Sequence, residues 1–223
     1  MDAPDLPSEN GSIHSVTFHP AIRWAARVLS VIFHPLFIPV YIAFFLIYSS
    51  PVFPAFKASE KSMLLIRFAV LYTVFPLVTV LLSKALGFVE SIYLRTQKDR
   101  IIPYVACGVY YFWMWYVLRN QQQVPRLLVM LALAVFLASS LGLILNSFIK
   151  ISMHAMALGV MVAFLLVLAF RTDINFGFYI ALALLITGLV STARLINSDH
   201  HPVEVYLGLF VGVLAELIAA YFV

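Results

Sequence analysis

The chain has 223 residues, 63% of them hydrophobic and 11% charged, with a mean hydropathy of +1.00 and a net charge of +4. A soluble domain is about 45–50% apolar and about 25% charged, so this composition excludes a water-soluble globular protein and calls for a bilayer. The modest charge, with no basic run and no nucleic-acid motif, excludes nucleic acid as a partner, and a single cysteine, Cys107, excludes a disulfide framework or a cysteine-rich metal site.

Residues 1–21 read as a polar, proline-broken tail at the membrane surface. A signal peptide opens on positive charge, and this stretch opens on Asp2, Asp5 and Glu9. Residues 22–223 read as one transmembrane domain without an internal repeat. Arg23 and Arg27 lead into a first span, 28–50, which contains His34-Pro35 and Pro39. The remaining apolar runs predict spans over 63–86, 103–119, 125–148, 155–170, 175–194 and 203–222. Unbroken runs of ~20 residues suit helices and not the ~10-residue alternating strands of a membrane barrel. The fold expected is an all-α polytopic transmembrane helical bundle of six to seven spans.

Charge is scarce, so the polar residues between the spans stand out. They fall in three clusters: Arg95, Lys98 and Arg100; Lys150, Ser152 and His154; and Arg194, His200, His201 and Glu204. Alternating spans put all three at the same membrane edge. Cations with hydroxyl and backbone donors suit a phosphate, which arginine binds bidentately. A histidine can attack phosphorus or carry a proton near neutral pH, and a carboxylate such as Glu204 can orient it. The chemistry suggested is phosphoryl transfer from a lipid.

Arg194-x5-His200-x3-Glu204 resembles the third signature of the type 2 phosphatidic acid phosphatase family, related to vanadium haloperoxidases, which reads Ser-Arg-x5-His-x3-Asp. Ile151-Ser152-Met153-His154 resembles its second, Pro-Ser-Gly-His, and Lys98-Asp-Arg100-Ile-Ile-Pro103 loosely echoes its first, Lys-x6-Arg-Pro. The resemblance covers about 95 to 208. Ala193, Glu204, Ile151 and Met153 depart from the family's Ser, Asp, Pro and Gly. The resemblance implies His200 as nucleophile, Glu204 as its orienting carboxylate and His154 as the acid that protonates the leaving alkoxide. It also implies Arg194, Ser152 and one or more of Lys98, Arg100 and Arg95 as phosphate ligands. The partner implied is a lipid phosphate or diphosphate that enters from the bilayer, and the resemblance implies no metal or cofactor.

Duller readings compete for the same residues. His200-His201 can be an interfacial pair, and Arg95, Lys98 and Arg100 can pair with lipid headgroups. His34 reads as a packed, hydrogen-bonded histidine, and Glu216 as an interhelical hydrogen-bonding group. The functional rivals are a family member that binds lipid phosphates without turnover and a small transporter using Glu216 and Arg67. Spans six and seven carry no lysine for a retinal Schiff base, and no second histidine pair sits deeper for a haem. Setting aside the five cations a site would claim leaves Arg23, Arg27 and Lys84 on its side. Lys57, Lys61, Arg67, Arg119, Arg126 and Arg171 lie on the other. By the positive-inside rule the site then faces away from the cytoplasm, in what reads as a bacterial inner membrane.

Overall fold

The computed structural model describes residues 18–51, 53, 56–94, 96–197 and 200–223. Among these the protein is an all-α polytopic membrane bundle. Its helices are α1 (Pro20–Ile32), α2 (Ile38–Ser49), α3 (Ala58–Ala85), α4 (Gln97–Arg119), α5 (Arg126–Asn146), α6 (Met153–Phe170), α7 (Gly177–Ile196) and α8 (Pro202–Phe222). The helices α3 to α8 are each long and apolar enough to cross a membrane.

The central helices are α5 and α6, whose apolar windows are 56% and 61% buried; the windows of α3, α4 and α7 are 17–28% buried. Lipid is as apolar as leucine, so close backbone approach, and not water exclusion, holds such helices together. Small residues make that approach possible between α6 and α8. A methyl group on Gly159 would lie 2.3 Å from the Leu209 carbonyl oxygen, and one on Gly212 would lie 2.0 Å from that of Met156. Gly208 lies as close to the start of α6, its methyl falling 2.7 Å from the Ser152 carbonyl oxygen. A second seam is aromatic: Tyr72 of α3 stacks between Phe68 at 5.3 Å and Tyr111 of α4 at 4.7 Å.

The first expected span, 28–50, is broken. Helix α1 ends at Ile32, α2 begins at Ile38, and residues 33–37 run between them. Pro35 cannot donate a backbone hydrogen bond and disfavours helical geometry at His34, while Pro39 suits the first turn of a new helix. Broken backbone at membrane depth persists only if its polar groups find partners. Here side chains supply them. His154 Nε2 bonds the Ser30 carbonyl at 3.0 Å, Tyr41 OH donates to the Ile32 carbonyl at 2.9 Å, and Thr73 Oγ1 donates to the Leu36 carbonyl at 2.9 Å. Thr73 lies in a π-helical turn, Val70–Val74, just ahead of Pro76, where the wider turn makes room for the proline ring.

Candidate active site

The starts of α4, α6 and α8 and the ends of α5 and α7 meet at one edge of the bundle. Gln97 Nε2 donates to the Asn146 carbonyl at 2.7 Å and Asn146 Nδ2 donates to the Gln97 carbonyl at 2.8 Å, clamping α4 to α5. The Ser152 N–H donates to the Glu204 carbonyl at 3.1 Å, which joins α6 to α8.

The centre of this edge is His200, in the short connection between α7 and α8. Its Nδ1 lies 2.7 Å from Glu204 Oε2. The same carboxylate oxygen accepts the His201 backbone N–H at 3.2 Å, satisfying one of the orphan donors at the start of α8. Glu204 is therefore fixed from two sides and fixes the imidazole in turn. With Nδ1 engaged, Nε2 is the ring nitrogen turned away from the carboxylate. Burial lowers the His200 pKa from 6.5 to about 4, assisted by the Arg100 and Arg194 charges and opposed by Glu204. A pKa lowered that far favours the neutral ring near pH 7, the form in which an imidazole can accept a proton or act as a nucleophile.

Arg100 is 4% exposed, a burial that a guanidinium tolerates only when hydrogen-bonded. Its Nε donates to the Leu94 carbonyl and its Nη1 to the Ile151 carbonyl, each at 2.9 Å. Leu94 has φ of +48°, the left-handed region that costs a leucine about 1–2 kcal/mol. This strained residue supplies the carbonyl that Arg100 uses, and strain of this kind gathers at functional sites. Thr96 caps α4, its Oγ1 accepting the Asp99 N–H at 3.1 Å, and the buried Asp99 accepts the Glu90 N–H at 3.0 Å. These bonds set where α4 begins and so where Arg100 points.

His154, in the first turn of α6, donates Nε2–H to Ser30, because a carbonyl oxygen only accepts. Nδ1 is then the nitrogen left to take up or release a second proton. Arg194, in the last turn of α7, lies within electrostatic reach of His34, His154 and His200. Ser152 is fully buried and caps α6, its Oγ accepting the Ala155 N–H at 3.4 Å.

Of the residues expected from sequence, His200, Glu204, His154, Arg194, Arg100 and Ser152 come together at this edge. Lys98 does not share the buried face of α4 with Arg100; it is exposed. Arg95 lies outside the described residues. His201 is exposed and precedes α8.

One residue joins the group that sequence reasoning set aside. The His34 ring meets that of His154 edge to face, 5.2 Å between centroids. Its signal in the sequence was only the adjacent proline, which marks the helix break that carries it inward. Among the described residues, no group of three or more His, Cys, Asp or Glu is arranged to hold a metal ion. No protein-family model matches the chain, and no curated protein or solved structure matches it.

Proposed function

We propose that this chain is a lipid phosphatase of the type 2 phosphatidic acid phosphatase kind, removing phosphate from a lipid phosphate or diphosphate. The observation that carries the reading is the His200–Glu204 bond of 2.7 Å with Arg100, Arg194 and His154 gathered around it. An imidazole held by a carboxylate and ringed by cations fits a group that attacks phosphorus while positive charge stabilises the equatorial oxygens.

In this mechanism His200 Nε2 bonds to phosphorus as the phosphorus–oxygen bond to the lipid breaks. The departing alkoxide takes its proton from His154 Nδ1, so this ring enters the step as the imidazolium and leaves it neutral, its Nε2–H staying on the Ser30 carbonyl. A water then attacks the phosphohistidine and gives its proton back to His154. The phosphorus–nitrogen bond breaks, inorganic phosphate leaves and His200 is restored. Arg100 and Arg194 hold the phosphate throughout, and Ser152 adds a hydroxyl donor. The lipid reaches the site sideways from the bilayer, because its tails cannot leave hydrocarbon cheaply. The excess of non-site cations on the opposite edge supports a site on the non-cytoplasmic face of a bacterial inner membrane.

The test is phosphate release from phosphatidic acid, phosphatidylglycerol phosphate and polyprenyl diphosphate in detergent with EDTA present. Release by the native chain and loss in His200→Ala supports the reading. Full release by His200→Ala overturns it.

A further inference from the structure

Helix α1 stops at Ile32, and the stop leaves a buried carbonyl to be satisfied. In an unbroken helix the Ser30 carbonyl would accept the backbone N–H of His34, four residues on. Pro35 disfavours helical backbone at His34, and the last turn closes one residue earlier, with the Phe33 N–H on the Leu29 carbonyl at 3.0 Å. Ser30 is 6% exposed, so its carbonyl needs a partner from the protein. That partner is His154 Nε2–H, at 3.0 Å.

The same break carries His34 onto His154. The two rings meet edge to face, with centroids 5.2 Å apart and planes at 79°. His34 is itself held. The Leu36 N–H donates to its Nδ1 at 3.3 Å, and the Leu36 carbonyl is pinned by Thr73 Oγ1 of α3 at 2.9 Å. Phe37 also packs edge to face on His34, 6.1 Å between centroids. Arg194 lies within electrostatic reach of both histidines, so the pair borders the site.

We propose that His34 is a positioning residue for His154, and that the chain break at Pro35 is the device that places it. The proposal rests on the phosphatase reading, in which His154 serves the leaving oxygen through Nδ1. One hydrogen bond directs Nε2 but leaves the ring free to tilt about it. A second ring set nearly perpendicular removes that freedom, because edge and face attract only in a narrow set of arrangements. The Ser30 carbonyl thus sets the tautomer and His34 the plane, and Nδ1 is the nitrogen that exchanges its proton. The arrangement parallels that of His200, whose Nδ1 is engaged by Glu204.

Two variants loosen His154 by separate routes. His34→Ala removes the second ring. Pro35→Ala keeps both rings but lets His34 become helical, so that its N–H competes for the Ser30 carbonyl. The first readout needs no activity. It is the ring-nitrogen NMR spectrum of protein with isotope-labelled histidine, in detergent and alkaline buffer. The His154 signals are identified by their loss in His154→Gln. The native ring is expected as one tautomer, protonated at Nε2. Both variants should give signals averaged over two tautomers, with the His200 signals unmoved as the mark of a folded site.

The second readout is kcat/KM, which covers the steps up to departure of the leaving group. Phosphatidic acid releases an alkoxide that needs the His154 proton, whereas para-nitrophenyl phosphate releases a phenolate that is stable without one. Both variants should lower kcat/KM about tenfold for phosphatidic acid and less than about threefold for para-nitrophenyl phosphate. Neither should add to the loss in His154→Ala. Tautomers already averaged in the native ring, His154 signals that neither variant moves, or equal losses on the two substrates overturn the proposal. Phosphate release with unmoved His154 signals leaves the phosphatase reading standing and removes this one. Altered His154 signals in a protein that releases phosphate from neither substrate keep the positioning of His154 and remove the phosphatase reading.

Discussion

Glu204 Oε2 accepts from two groups at once, His200 Nδ1 at 2.7 Å and the His201 backbone N–H at 3.2 Å. The carboxylate therefore serves both the proposed chemistry and the start of α8, and the two roles separate by substitution. Glu204→Gln keeps an oxygen for the backbone but loses the charge that stabilises an imidazolium. Phosphate release should fall by roughly 10²–10⁴-fold, with thermal stability lowered by no more than about 1 kcal/mol. Glu204→Asp keeps the charge and withdraws it by one methylene, and about 10²-fold is the expected loss. If Gln behaves as the native residue does, Glu204 is a helix cap alone.

The depressed His200 pKa, about 4 against an ordinary 6.5, fixes two pH dependences. In the proposed mechanism His200 attacks as the neutral ring, so the limb of kcat/KM that reports its protonation should lie near 4 and not at 6.5. Stability follows the protons bound in each state. Below 6.5 the unfolded chain binds a proton that the folded ring refuses. The contribution of this residue to stability is therefore full above 6.5 and is lost as pH falls from 6.5 to 4. Melting temperatures in detergent should decline over that window, and His200→Gln should flatten the decline. An acid limb of kcat/KM centred at 6.5 would contradict the buried, cation-flanked ring.

The choice between Lys98 and Arg100 shows how much of the site was legible in the sequence. Both are cations in one short polar connection, and composition does not separate them. Helical phase does: Arg100, Pro103 and Tyr104 share a buried face with Tyr111, Met114 and Leu118, and Lys98 falls outside it. Arg100→Lys keeps the charge but cannot serve the Leu94 and Ile151 carbonyls together. It should lower phosphate release by at least about tenfold, whereas Lys98→Ala should lower it by less than about threefold. Equal losses at the two positions would show that Lys98 reaches the phosphate. His34 was less legible. It meets His154 across 120 positions of chain, a contact no local spacing announces, and the six long spans were plain only because each is a continuous apolar run.

Helix α8 approaches α6 backbone to backbone, and the site depends on that approach, since Ser152 and His154 stand on one helix and Glu204 on the other. Gly212→Ala would drive a methyl to 2.0 Å from the Met156 carbonyl oxygen, where no flexible side chain can yield. A loss of about 1–3 kcal/mol is expected, with a lower melting temperature. Gly188→Ala in α7 meets nothing within 4 Å, and the better helix propensity of alanine should stabilise by up to about 1 kcal/mol. A similar response at both positions would show that α6 and α8 do not pack this closely in the membrane.

Glu216 is wholly buried in α8, and neither carboxyl oxygen has a partner among the described residues. The interhelical hydrogen bond expected of it from sequence is not among those described. The nearest cation in its electrostatic surroundings is Arg171, which is engaged with the Ala220 carbonyl and sits 3.7 Å from Met130 Sδ. Glu216 also lies 12 positions along α8 from Glu204, ~18 Å at 1.5 Å per residue, and so is remote from the phosphate chemistry. A buried, unpaired polar group costs about 1–3 kcal/mol, and replacing it with a side chain of similar volume removes that cost. Glu216→Leu should therefore raise the melting temperature and leave phosphate release as it was. Ionisable groups inside a membrane are functional by default, so the opposite outcome has a definite meaning. Lost phosphate release in a folded Glu216→Leu protein would tie the acid to the reaction or to a coupled proton, and would revive the reading of this chain as a transporter.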